Sequence, residues 1–227
     1  MQKLKHSLAL LLLTGVGACA DVILSQPSFI TDGRTSQVFA PNTGFIVYER
    51  FQSAQDAHVN RVDWTGGFFA SGQVPPPEGN TWTFAIYDDN GGLPGTLTDS
   101  VTVPFSTPTR QFIGNGTLGG LPTGFYNFSV MLPGTLFIDG GATKWLAIYV
   151  EGNGASAFAW TPSNVGDGVS KQRHLASGNY NTYVDRAVTL YGTTAVPEPS
   201  ELVLLSGIGI LAGLVRKSRA TATKQQA

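Results

Sequence analysis

The sequence predicts an all-β fold, an antiparallel β-sandwich of jelly-roll-like architecture, and three observations carry that prediction. Short segments with period-two or wholly apolar patterning recur from Phe45 to Tyr191, as expected of strands with one or both faces buried. Gly, Pro, Asn and Asp separate them, and Gly or Pro interrupts almost every window long enough for an amphipathic helix. The chain holds 28 Gly and 13 Pro with only 13% charged residues, yet its 42% hydrophobic and 11% aromatic content gives it a core to bury. That balance separates a turn-rich globular body from a disordered one.

The clearest predicted strands are Phe45–Phe51, Val59–Trp64, Trp82–Tyr87, Leu97–Val103, Phe125–Met131, Thr135–Ile138, Lys144–Val150 and Val184–Tyr191. In Trp82–Tyr87, the residues Trp82, Phe84 and Ile86 share one face under strand alternation. In Lys144–Val150 both alternating sets are largely apolar, which predicts a central strand. The run Asp88 to Gly95 reads as a connection between strands, because Asn and Gly take positive φ at little cost and Pro94 presets the next turn. Val74 to Gly79, with three consecutive prolines, reads as a stiff extended loop.

Both ends of the 227-residue chain look like processing signals. Lys3 and Lys5, the apolar stretch Leu8 to Val16, and Ala18-Cys19-Ala20 have the three parts of a secretory signal peptide. Cleavage after Ala20, at the Ala18-x-Ala20 site, leaves Asp21 as the mature N-terminus. Val16-Gly17-Ala18-Cys19 is also loosely similar to a lipobox, which would instead make Cys19 a lipidated N-terminus. Cys19 is the sole cysteine, so after cleavage no disulfide or thiolate site can form.

At the other end Val196, Pro197, Glu198, Pro199, Ser200 and Glu201 precede fourteen uncharged residues, Leu202 to Val215. The prolines remove backbone donors and favour extended geometry, as an accessible cleavage region requires. The uncharged run covers about 21 Å as a helix against a hydrocarbon core of about 30 Å. Arg216, Lys217 and Arg219 then read as a membrane stop on the cytoplasmic side. This order of a Pro-Glu-Pro motif, a transmembrane helix and a basic end resembles the PEP-CTERM sorting signal of Gram-negative bacteria. The resemblance implies recognition by an exosortase-type membrane enzyme, cleavage near Pro197–Pro199, and association with exopolysaccharide. The expected organisation is a signal peptide over 1–20, a β-sandwich body over 21–195, the sorting signal over 196–219 and a disordered tail over 220–227.

The body carries thirteen Asp/Glu against eight Lys/Arg, a net charge of −5. Without a basic stripe it is a poor match for nucleic acid, whose phosphates demand one. Its residues Trp64-Thr65-Gly66-Gly67, Asp89 to Gly95, Lys144 to Ile148, Ala159-Trp160 and Asp185 to Gly192 are similar to secreted β-sandwich domains found ahead of such tails. That likeness implies a fold and a surface habitat and transfers no catalytic residue.

The body offers no motif for catalysis. His58 and His174 are isolated, and neither a metal-binding His spacing nor a Gly-x-Ser-x-Gly elbow occurs. Glycoside hydrolysis needs two carboxylates about 5–9.5 Å apart; Asp63 and Asp88, at strand ends, are the candidates to line a cleft, and turn capping explains them more simply. Asp88, Asp89 and Asn90 cluster oxygens of the kind Ca²⁺ takes, but without EF-hand spacing. Of the four tryptophans, Trp160, followed by a turn at Thr161-Pro162-Ser163-Asn164, and Trp64 are the candidates for stacking on sugar, with core packing as the simpler account. The expectation is therefore a non-enzymatic body with no metal and no cofactor. It reaches the surface or the extracellular matrix by way of an inner-membrane-anchored precursor, in a structural or adhesive role. A carbohydrate-binding module is the alternative, and a secreted hydrolase a weaker one.

Overall fold

A computed structural model describes residues 20–29, 33–39, 43–69, 79–118, 121–152 and 157–194. All belong to the first of two units, Met1–Thr194 and Ala195–Ala227. The signal peptide as far as Cys19, the Pro-rich loop over 74–78 and the sorting tail lie outside the described residues.

Among the described residues the fold is all-β, with no helix. The strands are β1 Asp21–Gln26, β2 Arg34–Thr35, β3 Gln37–Phe39, β4 Thr43–Gln52, β5 Ala57–Phe69, β6 Thr81–Asp89 and β7 Pro94–Pro104. They continue with β8 Thr109–Leu118, β9 Leu121–Ile138, β10 Thr143–Glu151, β11 Ala157–Trp160, β12 Ser170–His174, β13 Tyr180–Tyr183 and β14 Val188–Thr194. They form two seven-stranded sheets that pack as a sandwich. In the first, β5 is the axis: β9 and then β8 lie on one side, while β14 and β11 divide the other. β1 extends this sheet beyond β14, and β2 beyond β11. The second runs β13-β12-β4-β10-β6-β7, with short β3 pairing both β4 and β10. Among these pairings only β3–β10 is parallel.

The first and last described strands are neighbours. Asp21 pairs with Gly192, and the Thr194 hydroxyl donates to the Asp21 carboxylate at 3.5 Å.

β10 is central, as its two apolar sets predict. Leu146, Ile148 and Val150 face the space between the sheets, and Trp145, Ala147 and Tyr149 form the opposite face. The inter-sheet core is dominated by rings. Trp82 lies 4.9 Å from Trp64, 4.7 Å from Phe158 and 5.4 Å from Phe128, and stacks on Phe105 at 5.6 Å with planes 8° apart. Offset and edge-on pairs of this kind add about 0.5–1.5 kcal/mol each beyond their buried area.

Close approach explains Gly66 in β5. A Cβ there would run into the Phe158 ring and come within 2.6 Å of the Ala159 carbonyl oxygen, so β11 reaches β5 only because that atom is missing. The turn after β6 has the chemistry its residues predict: Gly91 and Gly92 have φ of 62° and 85°, and Asn90 N–H donates to the Leu93 carbonyl at 2.8 Å.

Three predicted strands change. Phe125–Met131 and Thr135–Ile138 belong to one strand, β9, in which 132–135 leave the ladder between the pairs Arg61–Met131 and Val59–Leu136. The strand predicted from Val184 starts at Val188, because the preceding residues pair elsewhere. Ser163 N–H donates to Asp185 O at 2.8 Å, and Ala187 N–H to Thr161 O at 3.0 Å.

Candidate ligand cleft

On β5, Val62 and Trp64 turn into the core, so alternation sends Arg61, Asp63 and Thr65 to the outer face of the first sheet. Register then aligns polar residues across strands. Thr189, Asp63, Ser129 and Thr109 form one row over β14, β5, β9 and β8. Thr65, Asn127 and Gln111 form the next. These rows line a cleft of about 420 Å³, walled at the β1 end by Gln26, Pro27 and Ser28. That volume lies within the usual range of about 300–1,000 Å³ for small-ligand sites.

The groups in the cleft hold each other in place. Arg61 donates from Nε and Nη2 to the two Asp63 oxygens at 3.0 and 2.7 Å, and the hydrogen bond pushes the guanidinium pKa up. Its guanidinium carbon also sits 4.6 Å from the centre of the Tyr191 ring. The Thr65 hydroxyl donates to Asn127 Oδ1 at 2.9 Å, which leaves the Asn127 amide donors for another acceptor. Chemically, the cleft presents amides, hydroxyls, the Arg61–Asp63 ion pair and, on its β8 border, the exposed Arg110. Asp63 lines it from within β5 and not from a strand end, no second Asp or Glu does, and Asp88 lies elsewhere.

The outer face of the second sheet is aromatic but occupied. Trp145 is fully buried and Tyr48 nearly so, and Tyr48 meets Tyr87 edge-on at 5.3 Å. Tyr48 also packs on Tyr180 at 6.2 Å, and the Arg173 guanidinium carbon sits 5.7 Å from the centre of that ring. Burial raises the pKa of Tyr48, Tyr87 and Tyr149, so all three stay neutral hydroxyls at ordinary pH.

The tryptophans named as candidates for stacking on sugar are corrected to core residues, the simpler of the two accounts. Trp160 is fully buried, with its indole N–H donating to the Ala187 carbonyl at 2.8 Å, and Trp64 lies inside the ring cluster, stacked on Phe128 at 5.2 Å. The turn after Trp160 faces inward because Thr161 pairs back to Thr65 and Ala187. Asp88 and Asp89 have protein partners: Asp88 accepts from Lys144 Nζ and Asp89 from Trp145 Nε1, each at 2.7 Å. His58 packs on Phe137 and His174 on Phe45. Among the described residues no group of three or more His, Cys, Asp or Glu is placed to hold a metal. The cleavage residues Ala18 and Ala20, the motif Val196 to Pro199 and the stop residues Arg216, Lys217 and Arg219 have different standing: Ala20 opens the described region, and the rest lie outside it.

Sequence reasoning passed over Glu49. It points inward from β4 and is fully buried. Gln26 Nε2 donates to its Oε1 at 2.9 Å and the Arg186 backbone N–H to its Oε2 at 2.7 Å. It thus joins the second sheet to one end of the β1–β14 pair, where Gln26 lies opposite Val188. Desolvation is the main cause that pushes its pKa up to about 9, with Asp185 adding to the rise. Its one signal in the sequence was a carboxylate between Val47 and Phe51 on the inward set of an apolar strand.

The fold and cleft define a two-sheet β-sandwich with a polar, cross-strand groove on one outer face. No family model and no curated protein matches the chain.

Proposed function

We propose that this is an exported surface protein, sorted through a PEP-CTERM-type tail by an exosortase-type enzyme, whose sandwich adheres to exopolysaccharide. The observation that carries the adhesive part is the cleft, where two aligned rows offer amide, hydroxyl and carboxylate groups at adjacent strand spacings. Vicinal sugar hydroxyls call for paired donors and acceptors of this kind. The alternation of the chain between sheets, with β1 and β14 antiparallel neighbours, supports a jelly-roll-like description. The cleft favours the carbohydrate-binding form of adhesion over a purely structural role. The reading treats the body as non-enzymatic.

Affinity electrophoresis through gels containing the producing cell's own matrix polysaccharide tests the adhesive part. The mature protein is expected to be retarded, and Asn127→Ala to weaken that retardation about tenfold, the effect of one to two lost hydrogen bonds. Equal mobility with and without polymer sinks the adhesive reading. The sorting part is tested separately, by replacing Pro197, Glu198 and Pro199 with alanine and probing fractionated cells by immunoblot. An uncleaved precursor held in the inner membrane is expected, since the basic end resists transfer at about 2.5–3.5 kcal/mol per charge. Wild-type size and amount at the surface would show that the motif is not read.

A further inference from the structure

Arg61 is the one cation on the three β5 residues facing the cleft, and its side-on edge is already used. Both Asp63 oxygens hold it side-on at 3.0 and 2.7 Å, while Tyr191 covers its flank at 4.6 Å. That contact takes the side-on edge of the guanidinium and offsets its charge, so a carboxylate or sulfate finds only the Nη1–Nη2 end and no net charge to draw it. Arg110 also borders the cleft, but it sits on edge strand β8 in register with Phe128, which faces inward, so it is not part of the aligned floor.

Beside the polar rows, Arg61 continues a third row in which Val22, Tyr191 and Met131 are its cross-strand neighbours. Met131 and Val22 are 63% and 58% exposed, which makes an apolar ledge along a polar groove. A pyranose has that same division, with C–H groups on its faces and hydroxyls around its edge. The four-strand row from Thr189 to Thr109 spans three strand spacings, about 14 Å, which is long for a single small ligand.

Resting on the reading of this cleft as a glycan site, we infer that its ligand is a neutral polysaccharide segment lying across the strands, and that Asp63 sets this choice by masking Arg61. The protein therefore discriminates against acidic polymers by supplying the counter-charge itself.

The test runs the mature protein and Asp63→Asn through gels containing a neutral β-glucan, a neutral galactomannan or polygalacturonate, at low and high salt. Wild type is expected to be retarded by at least one neutral polymer and not by polygalacturonate. Asp63→Asn should lose neutral binding about tenfold or more, because a charged acceptor is gone. It should also gain salt-sensitive retardation by polygalacturonate as the Arg61 fork is released. Adding Arg61→Gln should abolish that gain, which ties it to one guanidinium, and unchanged circular dichroism shows that each variant is folded. Salt-sensitive binding of wild type to polygalacturonate, or no gain in Asp63→Asn, overturns the inference while leaving the cleft a glycan site. Retardation of wild type by none of the polymers overturns both.

Discussion

Raising the pH from about 5 to about 9 costs the folded protein several kcal/mol of stability, and a Glu49→Gln variant escapes most of that loss. Glu49 is fully buried and its pKa is raised to about 9 from an ordinary 4.5. The folded chain therefore keeps a proton that the unfolded chain releases, and stability falls with pH wherever the native state binds more protons. Its contribution is complete below about 4.5, declines above that, and is exhausted once pH passes about 9. A shift of this size corresponds to an effect on the order of 5 kcal/mol. The substituted amide would be neutral throughout, could still accept from the Arg186 N–H, and could donate to Gln26 Oε1, which is buried without a partner. Urea unfolding of both proteins across this range gives the comparison. Parallel stability curves would show that Glu49 is ionised in the folded state at neutral pH.

Trp82→Ala is expected to lower stability by about 3–5 kcal/mol, the usual cost of emptying a large aromatic site in a packed core. Trp82 is fully buried and four other rings lie within 6 Å of it, from β5, β9, β11 and the segment after β7. No single neighbour can relax into the space without giving up its own contacts. Trp82→Phe should cost distinctly less, because it keeps a ring against Trp64 and Phe158. Denaturant midpoints at fixed pH measure both, and similar losses for the two variants would show that the indole is not what the cluster packs around.

The sequence made plain those strands whose alternation was written in large side chains. β6 and β10 stood out because Trp82, Phe84 and Ile86, and then Leu146, Ile148 and Val150, repeat with period two. β8 was passed over because Thr109–Leu118 is polar, contains Gly114 and Gly116, and sits at a sheet edge where only one neighbour shapes its pattern. β12 and β13 were missed for a similar reason: they form a polar hairpin on the rim of the second sheet.

The cleft was half legible. Arg61, Asp63 and Thr65 could be placed on one face of a strand, and Asp63 was named as a cleft candidate. Their partners Asn127, Ser129 and Gln111 come from strands whose adjacency is a matter of topology, far away in sequence. Trp160 misled because a following turn usually signals surface, whereas here that turn doubles back against Thr65 and Ala187.

The pairing of the first and last described strands has a mechanical consequence. Asp21 and Thr194 stand side by side, and β14 is held on both flanks, by β1 and by β5. A pull on Thr194 that runs along β14 loads two ladders in shear, where many hydrogen bonds must yield together. A polymer in the cleft would bear on Thr189 of that same strand and on Asp63 beside it. Tension entering at one end of β14 thus meets its load within the same sheet, and the seam between the two sheets is not the part asked to resist it.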